Sequence, residues 1–465
     1  MILSNHMIGY EFEFLVREGD APLSKRTFES FHSELAKQGW KSKIDPGTGG
    51  IVGSENNGFF VTSDDGVCTM ELNTPPRNTI RECHQQMEQL LSQLQAIYRS
   101  LGCSIIGVSA FPGAFDLHRT KCQNFCLDDQ CCNKSYIKYF NPQRFPQGHH
   151  ALYIFAANQV WLDVAHQDVM RQWNVLQALS PVFYALFSNS PLFNNKPIGV
   201  LEGRDILWET MLGSSVVGND SQYFGMTPTP FSTLIEYFDF ILLMPFYFDV
   251  RGGMGYKLVN PRTTYREFFL APESEAEFFD GTRFMVRPEK SDFWGLQQRT
   301  FPHVRIKYRI KEEVTIDKII NALSARDEER LFACFEQCFL ECRAIAAQPQ
   351  KDISAGPAFL LGLQENILAV ETIVQRRPYK FWVDLYTVVQ QKGLEAEQED
   401  VHVAELAKNL LEIATEGLRK RGFGEERYLQ PLWQRVERKR NPSQELVNIW
   451  QQGGLAAVWK ARDFV

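Results

Sequence analysis

The stretch Ile8-Gly9-Tyr10-Glu11-Phe12-Glu13-Phe14 alternates apolar and acidic residues with the two-residue period of a β-strand. On such a strand Ile8, Tyr10, Phe12 and Phe14 share one face, and Glu11 and Glu13 share the other. Neighbouring carboxylates repel, and either solvent or a metal ion must offset that repulsion. An edge strand with a solvated acidic face fits the pattern, and so does a metal site.

Two further segments keep the same alternation. In Cys68-Thr69-Met70-Glu71-Leu72-Asn73, Glu71 lies with Thr69 and Asn73, opposite Cys68, Met70 and Leu72. In His303 to Ile310 the polar face carries His303, Arg305, Lys307 and Arg309. If the three strands share one sheet with the same face open, Glu11, Glu13 and Glu71 confront a basic row. Carboxylates hold Mg²⁺ through oxygen, while Arg and Lys hold phosphate or carboxylate. The combination suits a nucleotide phosphate with its metal.

The chain has 465 residues, enough for two or three domains. Its net charge of −7 argues against broad nucleic-acid binding, so an anionic ligand must be captured by local Arg and Lys. No run of about 18 apolar residues is present, and the start lacks the pattern of a signal peptide. Ten cysteines are too few for a disulfide scaffold, which points to a reduced, cytoplasmic protein without nucleic-acid or membrane partners. Cys122, Cys126, Cys131 and Cys132 lack the paired two-residue gaps of a zinc ribbon and read as loop thiols.

Periodicity predicts a helix from Ser24 to Gln38, a turn over Asp45 to Gly50, and a helix from about Thr79 to Leu101. It also predicts a strand over His149 to Ala157 and a long buried helix from Asp163 to Phe187. Asn189-Ser190-Pro191 stops that helix, a short helix presents Arg204 and Trp208, and Pro245 to Arg251 reads as a strand. Beyond Ile316 the pattern is helical, with helices over Asp327–Ala346, Gly356–Val374, Lys380–Gln391 and Val401–Arg421.

In chain order these residues resemble the plant and proteobacterial branch of the glutamate–cysteine ligases, carboxylate–amine ligases of the glutamine-synthetase-like fold. The matching elements are Gly9-Tyr10-Glu11-Phe12-Glu13, the Gly-rich turn Gly47 to Gly50, the strand with Glu71, and Ala185 to Pro191. Arg204 with Trp208, Tyr247 with Arg251, and Ala414 to Gly422 complete the set. The resemblance implies an α+β fold, a curved antiparallel sheet forming a funnel with helices outside. Residues 1–314 would form the catalytic sheet domain, and 315–465 a helical part packed on it.

The implied activity is ATP-dependent joining of the γ-carboxyl of glutamate to an amine, with cysteine the leading acceptor, as in glutathione biosynthesis. It proceeds through a γ-glutamyl phosphate and uses ATP and Mg²⁺. By resemblance Glu11, Glu13 and Glu71 hold metal, and Arg204, Trp208, Tyr247 and Arg251 bind substrate. Arg305, Lys307 and Arg309 line the phosphate end, with Lys307 and Arg309 as catalytic residues. The family's polar residues on the His149 to Ala157 strand fall nearest to His150 and Asn158. One departure stands out: Lys307 occupies the best-aligned place of a metal-binding Glu, and a charged Lys cannot ligate Mg²⁺. Two alternatives stay open, a same-fold ligase for another acid or amine and a non-catalytic homologue that binds nucleotide or a partner.

Overall fold

The computed structural model of the chain describes residues 6–64, 66–114, 140, 143–146, 149–218 and 220–465, with the side chains of 149 and 150 left out. Cys122, Cys126, Cys131 and Cys132 lie outside the described residues.

The opening strand, Ile8–Glu18, sits inside a ten-stranded sheet. On one side it pairs antiparallel with Thr69–Asn73, which continues through Phe59–Ser63 and Ile51–Asn56 to Lys41–Ile44. On the other side it pairs with Asn158–Val164, then Phe335–Cys342, then Val304–Ile310. The acidic and basic strands therefore share one sheet, with two strands between them. Tyr10, Phe12 and Phe14 are buried, and the helices Ile80–Ser100 and Ala355–Glu365 pack against the same strand. This is a mixed α and β architecture built on a large antiparallel sheet.

Helix starts follow their caps. Ser24 caps Lys25–Lys37 by accepting from the Thr27 amide, and Thr79 caps Ile80–Ser100 by accepting from that of Glu82. The Asp45 to Gly50 segment is a turn, in which the Asp45 carboxylate accepts from the amides of Gly47 and Thr48.

Three helix assignments fail. Asp327–Ala346 is a one-and-a-half-turn helix, Glu328–Ala333, followed by the strand Phe335–Cys342. That strand buries Cys338, Leu340 and Cys342 on one face and turns Gln337, Phe339 and Glu341 toward the cavities on the other, where the apolar Phe339 breaks the apolar–polar alternation. Residues 163–187 divide into the end of the strand Asn158–Val164 and the helices Val169–Ala178 and Ser180–Phe187, the last restarted by Pro181. Gly356–Val374 is two helices bent by 89° at Asn366, whose side-chain Nδ2 donates to the Ile413 carbonyl. The strand assigned to His149–Ala157 is also corrected: a 3₁₀ turn covers His149–Tyr153, and the strand starts at Asn158. Among the described residues no single helix is long and apolar enough to cross a membrane.

The sheet draws the strand Phe335–Cys342 from beyond residue 314, and the helices that follow are locked to each other by glycine. A Cβ on Gly417, in the helix Val403–Arg421, would lie 2.2 Å from the Gly362 carbonyl oxygen, and one on Gly362 would lie 2.4 Å from that of Ala414. Only glycine allows this backbone approach. Gly417→Ala is expected to lower stability by about 1–3 kcal/mol through overpacking. The readout is a lower urea midpoint with an unchanged slope.

Candidate active site

Strand register brings the acidic residues together. Glu13 lies directly opposite Glu71, and Glu11 lies between Asn73 and Gln159. Glu13 is buried, and its two oxygens accept from the Ala157 amide at 2.7 Å and the Gln159 side chain at 2.6 Å. Glu11 accepts from the Trp161 indole at 3.3 Å, and Asn73 donates to Glu71.

The basic row is organised by a residue the sequence reading placed on a helix, Glu341. Its carboxylate is fully buried and accepts from Arg305 Nε at 2.5 Å, Lys307 Nζ at 2.7 Å and Arg343 Nη1 at 3.4 Å. Burial alone would raise the Glu341 pKa, but Arg305, Lys307 and Arg343 outweigh it and hold the carboxylate below its ordinary range. Burial lowers Lys307 to about 8 despite the opposing pull of Glu341. The Lys307 ammonium also lies 3.9 Å from the centroid of the Trp161 ring.

Both groups line a cavity of about 400 Å³. Glu11, Glu13, Asp64 and Glu71 form its acidic wall, and Arg305, Lys307, Arg343 and Glu341 lie on the same sheet face. Arg204, Trp208 and Tyr247 also line it, as do Arg144, Asp205 and Arg299. Arg204 is held by a relay that starts at the motif Asn189-Ser190-Pro191. Asn189 donates to the Gly107 and Ala347 carbonyls, Ser190 Oγ donates to Glu202, and Glu202 lies 3.6 Å from Arg204. Trp208 packs against Phe301 with ring centroids 4.6 Å apart.

Four sequence candidates fall elsewhere. Arg251 is held by Asp292 at 2.6 Å and the Arg287 carbonyl, away from the cavity lining. Asn158 is fully buried and accepts from the Gln348 amide at 2.8 Å, a structural tie. Arg309 is exposed, lies 3.8 Å from Glu336, and lines a second cavity of about 790 Å³. His150 lies in the 3₁₀ turn, and its side chain is outside the described set. Glu341 and Arg343 escaped the sequence reading, although Phe339, Glu341 and Arg343 stand two apart, as residues on one strand face do.

Among the described residues no three His, Cys, Asp or Glu side chains form a metal cage. The acidic wall nonetheless suits a cation. Burial raises Glu11, reinforced by Glu341, and raises Glu13 further, reinforced by Asp64 and Glu11. Carboxylates that destabilise each other in this way gain most from a divalent ion. Mg²⁺ characteristically takes one or two carboxylates and completes its shell with phosphate and water.

The family model described as Glutamate-cysteine ligase family 2 (GCS2) matches residues 7–461. Glutamate–cysteine ligase A, chloroplastic, of Oryza sativa subsp. indica is 22% identical over 394 residues, which cover 82% of this chain and 68% of the relative. The chloroplastic glutamate–cysteine ligase of Arabidopsis thaliana is 22% identical over 403 residues, covering 82% and 64%. Among solved structures, glutamate–cysteine ligase from Francisella tularensis in complex with AMP aligns with a TM-score of 0.49 and 12% identity, over 98% of this chain and 87% of that one. A bifunctional glutathione synthetase from Pasteurella multocida aligns with a TM-score of 0.47 and 12% identity, over 98% of this chain. The chain spans 51% of that protein's length.

The buried charges set two expectations. Glu341→Gln leaves Arg305 and Lys307 buried without their carboxylate and is expected to cost about 3–5 kcal/mol, read by denaturant unfolding. Lys307 has a folded pKa of about 8, against about 10.4 in the unfolded chain. Between those values the unfolded chain holds a proton that the folded chain has released, so stability rises with pH across that window. Lys307→Met is expected to flatten the rise, measured as unfolding free energy at pH 8 and pH 10.

Proposed function

The chain belongs to the glutamate–cysteine ligase family 2, and on that premise we propose that it is an ATP-dependent ligase joining the γ-carboxyl of glutamate to an amine, with cysteine as the leading acceptor. The observation that carries the reading is the cavity in which four carboxylates, Glu11, Glu13, Asp64 and Glu71, share a sheet face with Arg305, Lys307 and Arg343. A glutamate carboxylate attacking a triphosphate brings like charges together, and both signs of protein charge are needed to hold them.

In the proposed reaction a γ-carboxylate oxygen of glutamate attacks the γ-phosphorus of ATP, and ADP leaves. The acceptor nitrogen then attacks the acyl carbon of the γ-glutamyl phosphate, releasing phosphate and the nitrogen's proton. Arg204, braced by Glu202, would hold a glutamate carboxylate. Arg305, Lys307 and Arg343 would neutralise the phosphates, and Glu11, Glu13 and Glu71 would hold Mg²⁺. The ion, when bound, supplies charge neutralisation at the transferring phosphoryl group. The second cavity shares Glu11, Asn73, Trp161 and Trp294 with the first, and its lining of Trp161, Ile310 and Phe339 suits a nucleotide base. Arg309 lines that second cavity and would meet the phosphates from its side. The antiparallel sheet with helices packed behind it supports the glutamine-synthetase-like funnel that the sequence resemblance implies.

A second reading, a non-catalytic nucleotide-binding homologue, is favoured by one observation: the ammonium of Lys307, which the sequence resemblance aligns with a metal-binding Glu, is bonded to Glu341. Mg²⁺-dependent phosphate release from ATP plus glutamate, assayed against cysteine, hydroxylamine and other amines, separates the two. A γ-glutamyl amide detected by mass supports the ligase, whereas tight ATP binding without release under any amine supports the homologue. Glu11→Gln is expected to abolish turnover and leave thermal unfolding within a few degrees of the parent, because Glu11 faces the cavity rather than the core. Normal turnover in that variant would remove Glu11 from the site.

A further inference from the structure

The cations around the first cavity are not equally occupied. Arg144 is bonded to Asp220 at 2.9 Å, Arg204 is paired with Glu202, and Arg305, Lys307 and Arg343 share Glu341. Arg299 differs. It caps the C-terminal end of the helix Lys290–Gln298, and its guanidinium carbon lies 3.9 Å from the centroid of the Phe248 ring. Its Nε is buried without a hydrogen-bond partner, and among the described residues it makes no ion pair. Stacking on an aromatic face holds a guanidinium in place while leaving its donors directed at a ligand.

The nearby acid Asp249 forms no hydrogen-bonded ion pair with Arg299 among the described residues. Asp249 has one oxygen bonded to the Val250 amide and the other without a partner, and burial pushes its carboxyl up to about 7 against the opposing pull of Arg299. Gly295 keeps that carboxyl in place, since a Cβ there would come within 1.7 Å of Asp249 Oδ2. A cation left with unused donors inside a cavity is set up for an anion supplied by the ligand.

We propose that Arg299 binds an anionic group on the acceptor amine, the carboxylate when the acceptor is cysteine, and so determines which amines the site accepts. This rests on the ligase reading. On that reading the sheet wall takes the triphosphate and Arg204 takes glutamate. The ligand carboxylate still unmatched is the acceptor's, and Arg299 stands off the sheet on the aromatic Phe248 side.

The test compares cysteine with cysteamine, which lacks the carboxylate, in γ-glutamyl amide formation by the full chain. The parent is expected to prefer cysteine in kcat/KM, and Arg299→Gln is expected to reduce that preference by about 10- to 100-fold through KM for cysteine. Arg299→Lys, which keeps the charge but loses the planar fork, is expected to fall between the two. KM values for ATP and glutamate in the same variants show whether the fold and the rest of the site are intact. A parent that uses both amines equally overturns the proposal, as does a variant whose preference is unchanged. So does a KM rise that falls on glutamate or ATP instead. In those cases the ligase reading stands; a parent that forms no γ-glutamyl amide with any amine overturns both.

Discussion

The carboxylate of Glu341 is fully buried, and it can stay ionised there only because Arg305, Lys307 and Arg343 are held against it. Taking any of these ions out of water costs several kcal/mol unless opposite charge and hydrogen bonds replace the lost hydration. Three cations against one carboxylate leave a surplus of two positive charges on that part of the sheet. On the same open face stand Glu11, Glu13 and Glu71, whose mutual repulsion is the opposite imbalance. Neither half is balanced internally. The cavity is thereby prepared for a ligand that carries its own charges of both signs, such as a metal-bearing phosphate.

The remainder of the fold holds these groups at fixed positions. Asn189 ties two separate loops through the Gly107 and Ala347 carbonyls, and the adjacent Ser190 fixes Glu202. Arg435 joins the Leu186 carbonyl, Gln348 and Asp352 from the helix Gln430–Arg438. The C-terminal helices thus brace the segment that follows Glu341 and Arg343. Placing such links in the interior makes the site depend on packing far from the chemistry.

Legibility in the sequence followed solvent exposure. Ile8 to Phe14 and Cys68 to Asn73 each have one apolar and one polar face, and both formed strands of one sheet. Helices flanked by clear caps, such as those after Ser24 and Thr79, began where their caps stand. The strand Phe335–Cys342 was hidden because Phe339 interrupts the polar face that Gln337 and Glu341 would otherwise mark, and Glu341 answers to cations on a neighbouring strand rather than to water. Arg251 shows the converse: an Arg next to a recognisable Tyr, yet drawn off by Asp292 into a neighbouring small sheet.

The sequence by itself determined that an acidic strand face and a basic strand face exist, because the two-residue period of a strand is written in consecutive residues. It also determined the family, since ordered motifs spread along most of the chain survive low overall identity. Tertiary structure alone decided which charges meet. Glu341 lies 36 residues from Arg305 and 34 from Lys307, and Arg299 pulls on the Asp249 carboxyl without closing an ion pair among the described residues. Charge pairing acts over a few ångströms through the fold, and the order of residues along the chain carries no record of those distances.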